Sequence, residues 1–184
     1  MKVLLAASDK AELKGYEGLC VVTGVGAIQA AAAAAKAIAE LRPDVVISIG
    51  SAGSFGKLEL GKSYSFGSVV SGDQDLTAYR LPKGATLGPG RETVSALSLD
   101  KASPYVLISS CRFTDGPSAI PADAADMEAY GVAMAARQYG IPCYAVKVMT
   151  DIIGERVSIP DYSKRLREWR AGLHLKVEEL LQGL

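Results

Sequence analysis

Between Asp126 and Asp151 the chain reads DMEAYGVAMAARQYGIPCYAVKVMTD, and this stretch limits the fold more than any other. Met127 to Tyr139 is rich in Ala and Met and runs into Gly140, the pattern of a helix closed by a C-terminal glycine. Gly140-Ile141-Pro142 turns the chain. Pro142 to Val148 is short, apolar and partly β-branched, which predicts an interior strand of a parallel sheet. In such sheets ligands sit at the carboxyl ends of the strands. This order places Thr150 and Asp151 at a strand end, and Asp126 and Glu128 at the start of the preceding helix. Two or three acids then lie within reach of one ligand.

The N-terminal half repeats the alternation. Lys2 to Ser8 is an apolar run that predicts a first strand, and Ser8 or Asp9 then caps a short helix containing Glu12. On spacing alone Glu12 is a helix-start acid complementing the dipole. Leu19 to Thr23 predicts a second strand, closed by Gly24-Val25-Gly26. Ile28 to Leu41 is an Ala-rich helix broken by Arg42-Pro43-Asp44, and Val45 to Ile49 is a fully apolar strand. That is βαβ order. The G-x-G at Gly24 and Gly26 is no dinucleotide fingerprint, because Gln29 stands where the third glycine belongs.

Gly50-Ser51-Ala52-Gly53-Ser54 reads as a glycine-rich turn whose backbone N–H groups can hold an anion or a polar ligand. It lacks the Lys-Ser/Thr ending of a P-loop. Gly61 to Val70 alternates as a strand does, and Asp73-Gln74-Asp75 reads as a solvated turn. Leu81 to Ser103 is Gly/Pro/Ser-rich and predicts a surface loop. Tyr105 to Ser110 predicts a strand that leads to Phe113. Pro160 opens a last helix, whose stripe Tyr162, Leu166, Trp169, Leu173, Val177 and Leu180 predicts core packing.

Composition narrows the functions open to such a chain. Its 184 residues suffice for one sizeable core, so residues 1–184 are expected to form a single domain. Zero formal net charge and the lack of a basic run offer no footprint for nucleic acid or an anionic membrane. No apolar run approaches the roughly 18 residues of a membrane span. The start of the chain is too short and too plain for a signal peptide. Cys20, Cys111 and Cys143 are odd in number and scattered, which predicts buried free thiols in a reducing cytoplasm. A lone His174 speaks against His-based metal sites and triads, so neither metal nor cofactor is expected.

In this order, GVGAIQAA, RPDVVISIGSAG, DMEAYGVA and VMTD resemble the nucleoside phosphorylase/nucleosidase superfamily, above all its 5′-methylthioadenosine/S-adenosylhomocysteine nucleosidases. The resemblance spans nearly the whole chain. It implies a three-layer α/β/α sandwich around a mixed, partly barrel-like sheet, and a homodimer. It also implies roles residue by residue. Asp151 matches the proton donor to the purine, and Glu128 the acceptor of the ribose hydroxyls, with Met127 under the sugar. Glu12 matches the glutamate that activates the attacking water. Phe113 matches the base-stacking aromatic, and Thr114 lies where backbone groups meet the base edge. Ser51, Ala52 and Gly53 match the segment beside the water or phosphate site.

The implied activity is hydrolysis of the N-glycosidic bond of a purine nucleoside. The chemistry suits these residue types. The sugar passes through an oxocarbenium-like state that a carboxylate favours, and the purine leaves well only when an acid protonates it. Phosphorylases of this superfamily carry phosphate-binding arginines. The matching positions here are Ser48 and the uncharged Ala6-Ala7-Ser8 region, which favours water. Arg91 or Arg112 could substitute, so phosphorolysis stays open, as do a futalosine hydrolase and a non-catalytic nucleoside-binding protein.

Overall fold

The computed structural model describes residues 1–156 and 158–184. Two ten-residue strands, β3 (Val45–Ser54) and β11 (Cys143–Ile152), form its axis. They pair in parallel from Val46 and Cys143 to Ser54 and Ile152. The other edge of β3 is shared. Its first half pairs in parallel with β1 (Val3–Ala7), which carries β2 (Leu19–Val22) beyond it. Its last residues pair antiparallel with β10 (Ala124–Asp126).

The sheet curls because β3 serves both partners and because the far edge of β11 turns back. β11 pairs antiparallel with β4 (Ser63–Ser65). Phe66 and Gly67 then carry the chain into β5 (Ser68–Ser71), with Phe66 N–H donating to Ala145 and Gly67 N–H to Tyr105. β5 pairs with β9 (Val106–Ser109), β9 with β10, and β10 with β3, which closes the ring. The result is the mixed, partly barrel-like sheet that the resemblance implies.

Strand alternation sorts the core into two faces. On β1 and β3, Leu4, Ala6 and Val46 face one side, Leu5, Ala7, Ile47 and Ile49 the other. The first side is covered by α2 (Ala27–Leu41) and α3 (Ala129–Gln138), through Ala30, Ala34, Ile38, Val132 and Ala136. These helices are Ala-rich because they touch. A methyl group on Gly131 would lie 2.0 Å from the Ala27 carbonyl oxygen. The second side is covered by α4 (Ile159–Gln182), whose Leu166, Leu173 and Val177 are buried. Each such side chain contributes about 1.5–3 kcal/mol by leaving water.

Four sequence expectations change. Gly50 to Ser54 is no turn but the second half of β3, because β11 continues beside it and supplies its ladder. Leu81 to Ser103 is not plain loop. It holds a small hairpin of β6 (Thr86–Leu87) and β7 (Thr93–Val94), and β8 (Leu97–Ser98), which joins the main sheet at β5. Strands of two residues carry too little periodicity to be read. Cys143 is buried, but Cys20 lies on edge strand β2, Cys111 lies just past β9, and both are exposed. The stripe of α4 packs as expected except at Tyr162, which points into a cavity.

Candidate active site

A cavity of about 450 Å³ opens at the carboxyl ends of β3 and β11, beside the junction of β10 and α3. Asp151, Glu128, Met127, Phe113, Thr114, Ser51, Ala52 and Gly53 all line it. Glu12 does not. It sits one layer back, behind Ser8 and Ser51, which do.

Asp151 reaches the cavity through an irregularity in β11. Met149 pairs with Ala52 and Asp151 with Gly53, so Thr150 is an extra residue and forms a bulge. Thr150 turns into the core and donates from Oγ1 to Asp151 Oδ1 at 2.9 Å. Among the described residues no donor reaches Oδ2. Asp151 is 8% exposed and lies so close to β3 that a Cβ on Gly53 would meet Oδ2 at 2.8 Å.

Glu128 is the N-cap residue of α3, yet its side chain does not cap that helix. It crosses to the start of α2, where the Gly26 N–H donates to Oε1 at 3.0 Å. Burial, with Asp126 nearby, pushes its carboxyl up to about 7 against the pull of Lys147. No described donor reaches Oε2, so this carboxylate has acceptor capacity to spare in a cavity.

Glu12 is 2% exposed and saturated. Oε2 accepts from Ser8 N–H at 3.0 Å, Ser8 Oγ at 2.8 Å and Asp9 N–H at 3.3 Å. Oε1 accepts from Ser51 N–H at 3.1 Å and Ser51 Oγ at 3.3 Å. The bond to Asp9 is half of a capping box on α1 (Lys10–Leu13), so the helix-start reading also holds. β3 admits this carboxylate only because residue 50 is glycine. With φ at +142°, a Cβ there would lie 2.6 Å from Glu12 Oε1.

Two residues of the site were not singled out by the sequence. Lys147 sits inside the apolar run of β11, where its Nζ pairs with Asp126 Oδ2 at 2.9 Å and donates to Ser48 Oγ at 3.1 Å. Burial pushes the ammonium down, but Asp126, Glu128 and Glu12 outweigh it and raise its pKa. Asp126 is occupied too, accepting from Ser109 Oγ and from the Ala129 N–H at 2.9 Å. It lines the cavity as well, but both its oxygens already have partners, one of them the first turn of α3. Tyr162, on α4, lines the cavity and shares a hydrogen bond of 2.5 Å with Ser51 Oγ. Burial and the nearby Glu12 push its phenol up to about 12, so it stays protonated.

The remaining wall is looser. Phe113 lies in the loop after β9 and is 69% exposed, with Thr114 half-buried beside it. Among the described residues lining the cavity there is no Arg or Lys. Arg91 and Arg112 are exposed outside it, and Ser48 is bound to Lys147. Among the described residues no group of three or more His, Cys, Asp or Glu side chains is placed to hold a metal ion. No described helix is long and apolar enough to cross a membrane.

The chain is similar to known proteins. A model of the phosphorylase superfamily matches residues 10–82 and 116–182. The 5′-methylthioadenosine/S-adenosylhomocysteine nucleosidase of Geobacillus sp. (strain WCH70) is 27% identical, with 92% of this chain and 84% of that protein covered. A futalosine hydrolase mutant of Helicobacter pylori strain 26695 superposes with a TM-score of 0.85 at 15% identity, covering 100% of both chains. The Helicobacter pylori 5′-methylthioadenosine/S-adenosylhomocysteine nucleosidase with butyl-thio-DADMe-Immucillin-A also gives 0.85, at 17% identity over 100% of this chain and 99% of that one. At these identities the two structures establish the fold.

Proposed function

The chain belongs to the phosphorylase superfamily, and we propose that it hydrolyses the N-glycosidic bond of a purine nucleoside of the methylthioadenosine/adenosylhomocysteine type. The observation that carries this reading is the lining of the cavity. Asp151 and Glu128 each present one carboxyl oxygen that no described donor reaches, and no described lining residue is Arg or Lys. A phosphate dianion would find no Arg or Lys among the described lining residues to hold it. A neutral nucleoside and a water meet no such penalty. The volume suits a small ligand.

In this reading each residue has a part. Asp151 donates a proton to the departing purine, which turns a poor anionic leaving group into a neutral one. Glu128 accepts hydrogen bonds from the ribose hydroxyls, and its charge favours the cationic sugar of the transition state. Met127 lies under the sugar, Phe113 stacks on the base, and the backbone at Thr114 meets the base edge. Ser51, Ala52 and Gly53 flank the attacking water, with Glu12 behind Ser51 as the final proton acceptor. A protein that only binds nucleosides needs neither a proton donor nor a water base.

Residues 1–184 act as one catalytic domain in this reading, working as a homodimer in the cytoplasm. Val25 lines the cavity and, like Val22 and Ile28 near it in sequence, is exposed, an apolar surface that suits a second copy. The three cysteines are free and two are exposed, which suits a reducing compartment.

The test is purified protein with methylthioadenosine, adenosylhomocysteine, futalosine and inosine, with and without phosphate, monitored for free base. Adenine released from the first two at a phosphate-independent rate is expected. Release from futalosine alone would move the substrate class, and release from none would overturn the reading.

A further inference from the structure

The route from the cavity to Glu12 is unassigned by the mechanism above, because Glu12 does not face the cavity and five donors fill its oxygens. We propose that the Ser51 hydroxyl relays the proton of the attacking water to Glu12, and that Tyr162 is the positioning residue that aims this hydroxyl. The proposal rests on the hydrolytic reading and adds a residue to it.

The hydrogen bonds fix the direction of transfer. The phenol of Tyr162 lines the cavity beside Ser51, with Oη 2.5 Å from Ser51 Oγ. Ser51 Oγ spends its single proton on Glu12 Oε1, so in its bond with Tyr162 the phenol is the donor. A serine oxygen has one proton and two lone pairs. With one lone pair taken by Tyr162, the Ser51 proton points to Glu12 Oε1 at 3.3 Å, and the second lone pair is left for water. The step then balances. The water oxygen bonds to the anomeric carbon as the bond to the purine nitrogen breaks, and that electron pair takes the proton of Asp151. One water proton passes to Ser51 Oγ while the Ser51 proton passes to Glu12 Oε1. Serine is regenerated and Glu12 ends protonated.

Ser8 Oγ also bridges cavity and carboxylate, at 2.8 Å from Oε2, but no described second group aims it. Tyr162 is held for its task by the first turn of α4, where its N–H donates to the Ser158 carbonyl at 3.0 Å.

Tyr162→Phe removes the hydroxyl and keeps the ring. We expect kcat to fall roughly tenfold with KM and Tm unchanged, a fraction of the roughly 10²–10⁴-fold that proton transfer contributes. Ser51→Ala should cost more, Ser51→Thr should restore most of the rate, and Tyr162→Phe should add nothing to Ser51→Ala, as members of one unit behave. The dependence of kcat on deuterium fraction should be curved for wild type and linear for Ser51→Ala. Independent losses from the two variants, a Tyr162→Phe effect confined to KM, or a larger loss from Ser8→Ala than from Ser51→Ala would overturn the relay. Wild-type protein that releases no base without phosphate would overturn the hydrolytic reading, and the relay with it. Wild type that hydrolyses while Tyr162→Phe matches it would overturn the relay alone.

Discussion

Glu12 and Glu128 are both nearly sealed from solvent, at 2% and 8% exposure, yet they are bonded in opposite ways. The corner of β1, α1 and β3 gives Glu12 five donors, from Ser8, Asp9 and Ser51. On the face of β10, α3 and β11 the described donors are one each, the Gly26 N–H from the start of α2 for Glu128 and Thr150 Oγ1 for Asp151. A buried polar group left short of partners costs about 1–3 kcal/mol unless something else supplies them. Such capacity left open in a cavity is capacity kept for a ligand, whereas a filled carboxylate acts on the ligand through its neighbours. On the proposed reading the two regions divide the work: the open pair meets the nucleoside, and the filled corner handles water.

The sharpest way to break this division is Asp151→Asn. The amide fills the same space but cannot protonate the base, so kcat should fall by about 10²–10⁴-fold while Tm barely moves. Stopped assays of free base, with a thermal melt alongside, check it. A variant near wild-type turnover would place the chemistry elsewhere.

Glu128→Gln should lower kcat/KM at least about a hundredfold on ribonucleosides, matching one transition-state contact of about 2.7–4 kcal/mol. The loss should be smaller on 2′-deoxyribonucleosides, which never offered one of the hydroxyls. Protonation adds a second check. Burial raises the Glu128 carboxyl from 4.5 to about 7, so the folded state holds a proton that the unfolded state releases. That contribution is present below 4.5 and lost as pH rises through about 7. Denaturant titrations should show Glu128→Gln flattening the decline in stability across that window. Wild-type kcat/KM should rise through it, because the charged form does the work.

The filled corner should respond in stability first. Gly50→Ala places a methyl group 2.6 Å from Glu12 Oε1 at a φ of +142°, and should cost about 1–3 kcal/mol in denaturant titrations. An unchanged stability would mean that Glu12 is not pinned as described. The smallest effect belongs to Phe113→Ala. An exposed aromatic contributes about 0.5–1.5 kcal/mol by stacking, so steady-state assays should show KM rising a few-fold with kcat and Tm held.

The open acids were legible in the sequence because each sits at the end of a strongly patterned element. Glu128 precedes an Ala-rich helix and Asp151 closes an apolar strand. Lys147 was hidden by the same logic, since one charge in an apolar strand looks like noise until Asp126 is seen folded against it. Tyr162 fell on the apolar stripe of α4, and periodicity cannot tell a core position from a cavity wall. Gly50 to Ser54 read as a turn because glycine marks turns, but here it marks close approach of Glu12 and Asp151 to a continuous strand. The hairpin of β6 and β7 and the edge strand β8 are too short to announce themselves. Long elements and their ends are written locally, and the pairing of distant groups is not.

The claim that water, not phosphate, attacks in this cavity is tested most directly by the sugar product. Methylthioadenosine turned over in phosphate buffer should yield adenine and a free reducing sugar, with no new sugar-phosphate signal in the phosphorus NMR spectrum. A sugar 1-phosphate formed in step with adenine would contradict the account, because it would require an anion site that the described lining of Asp151, Glu128 and Ser51 does not provide.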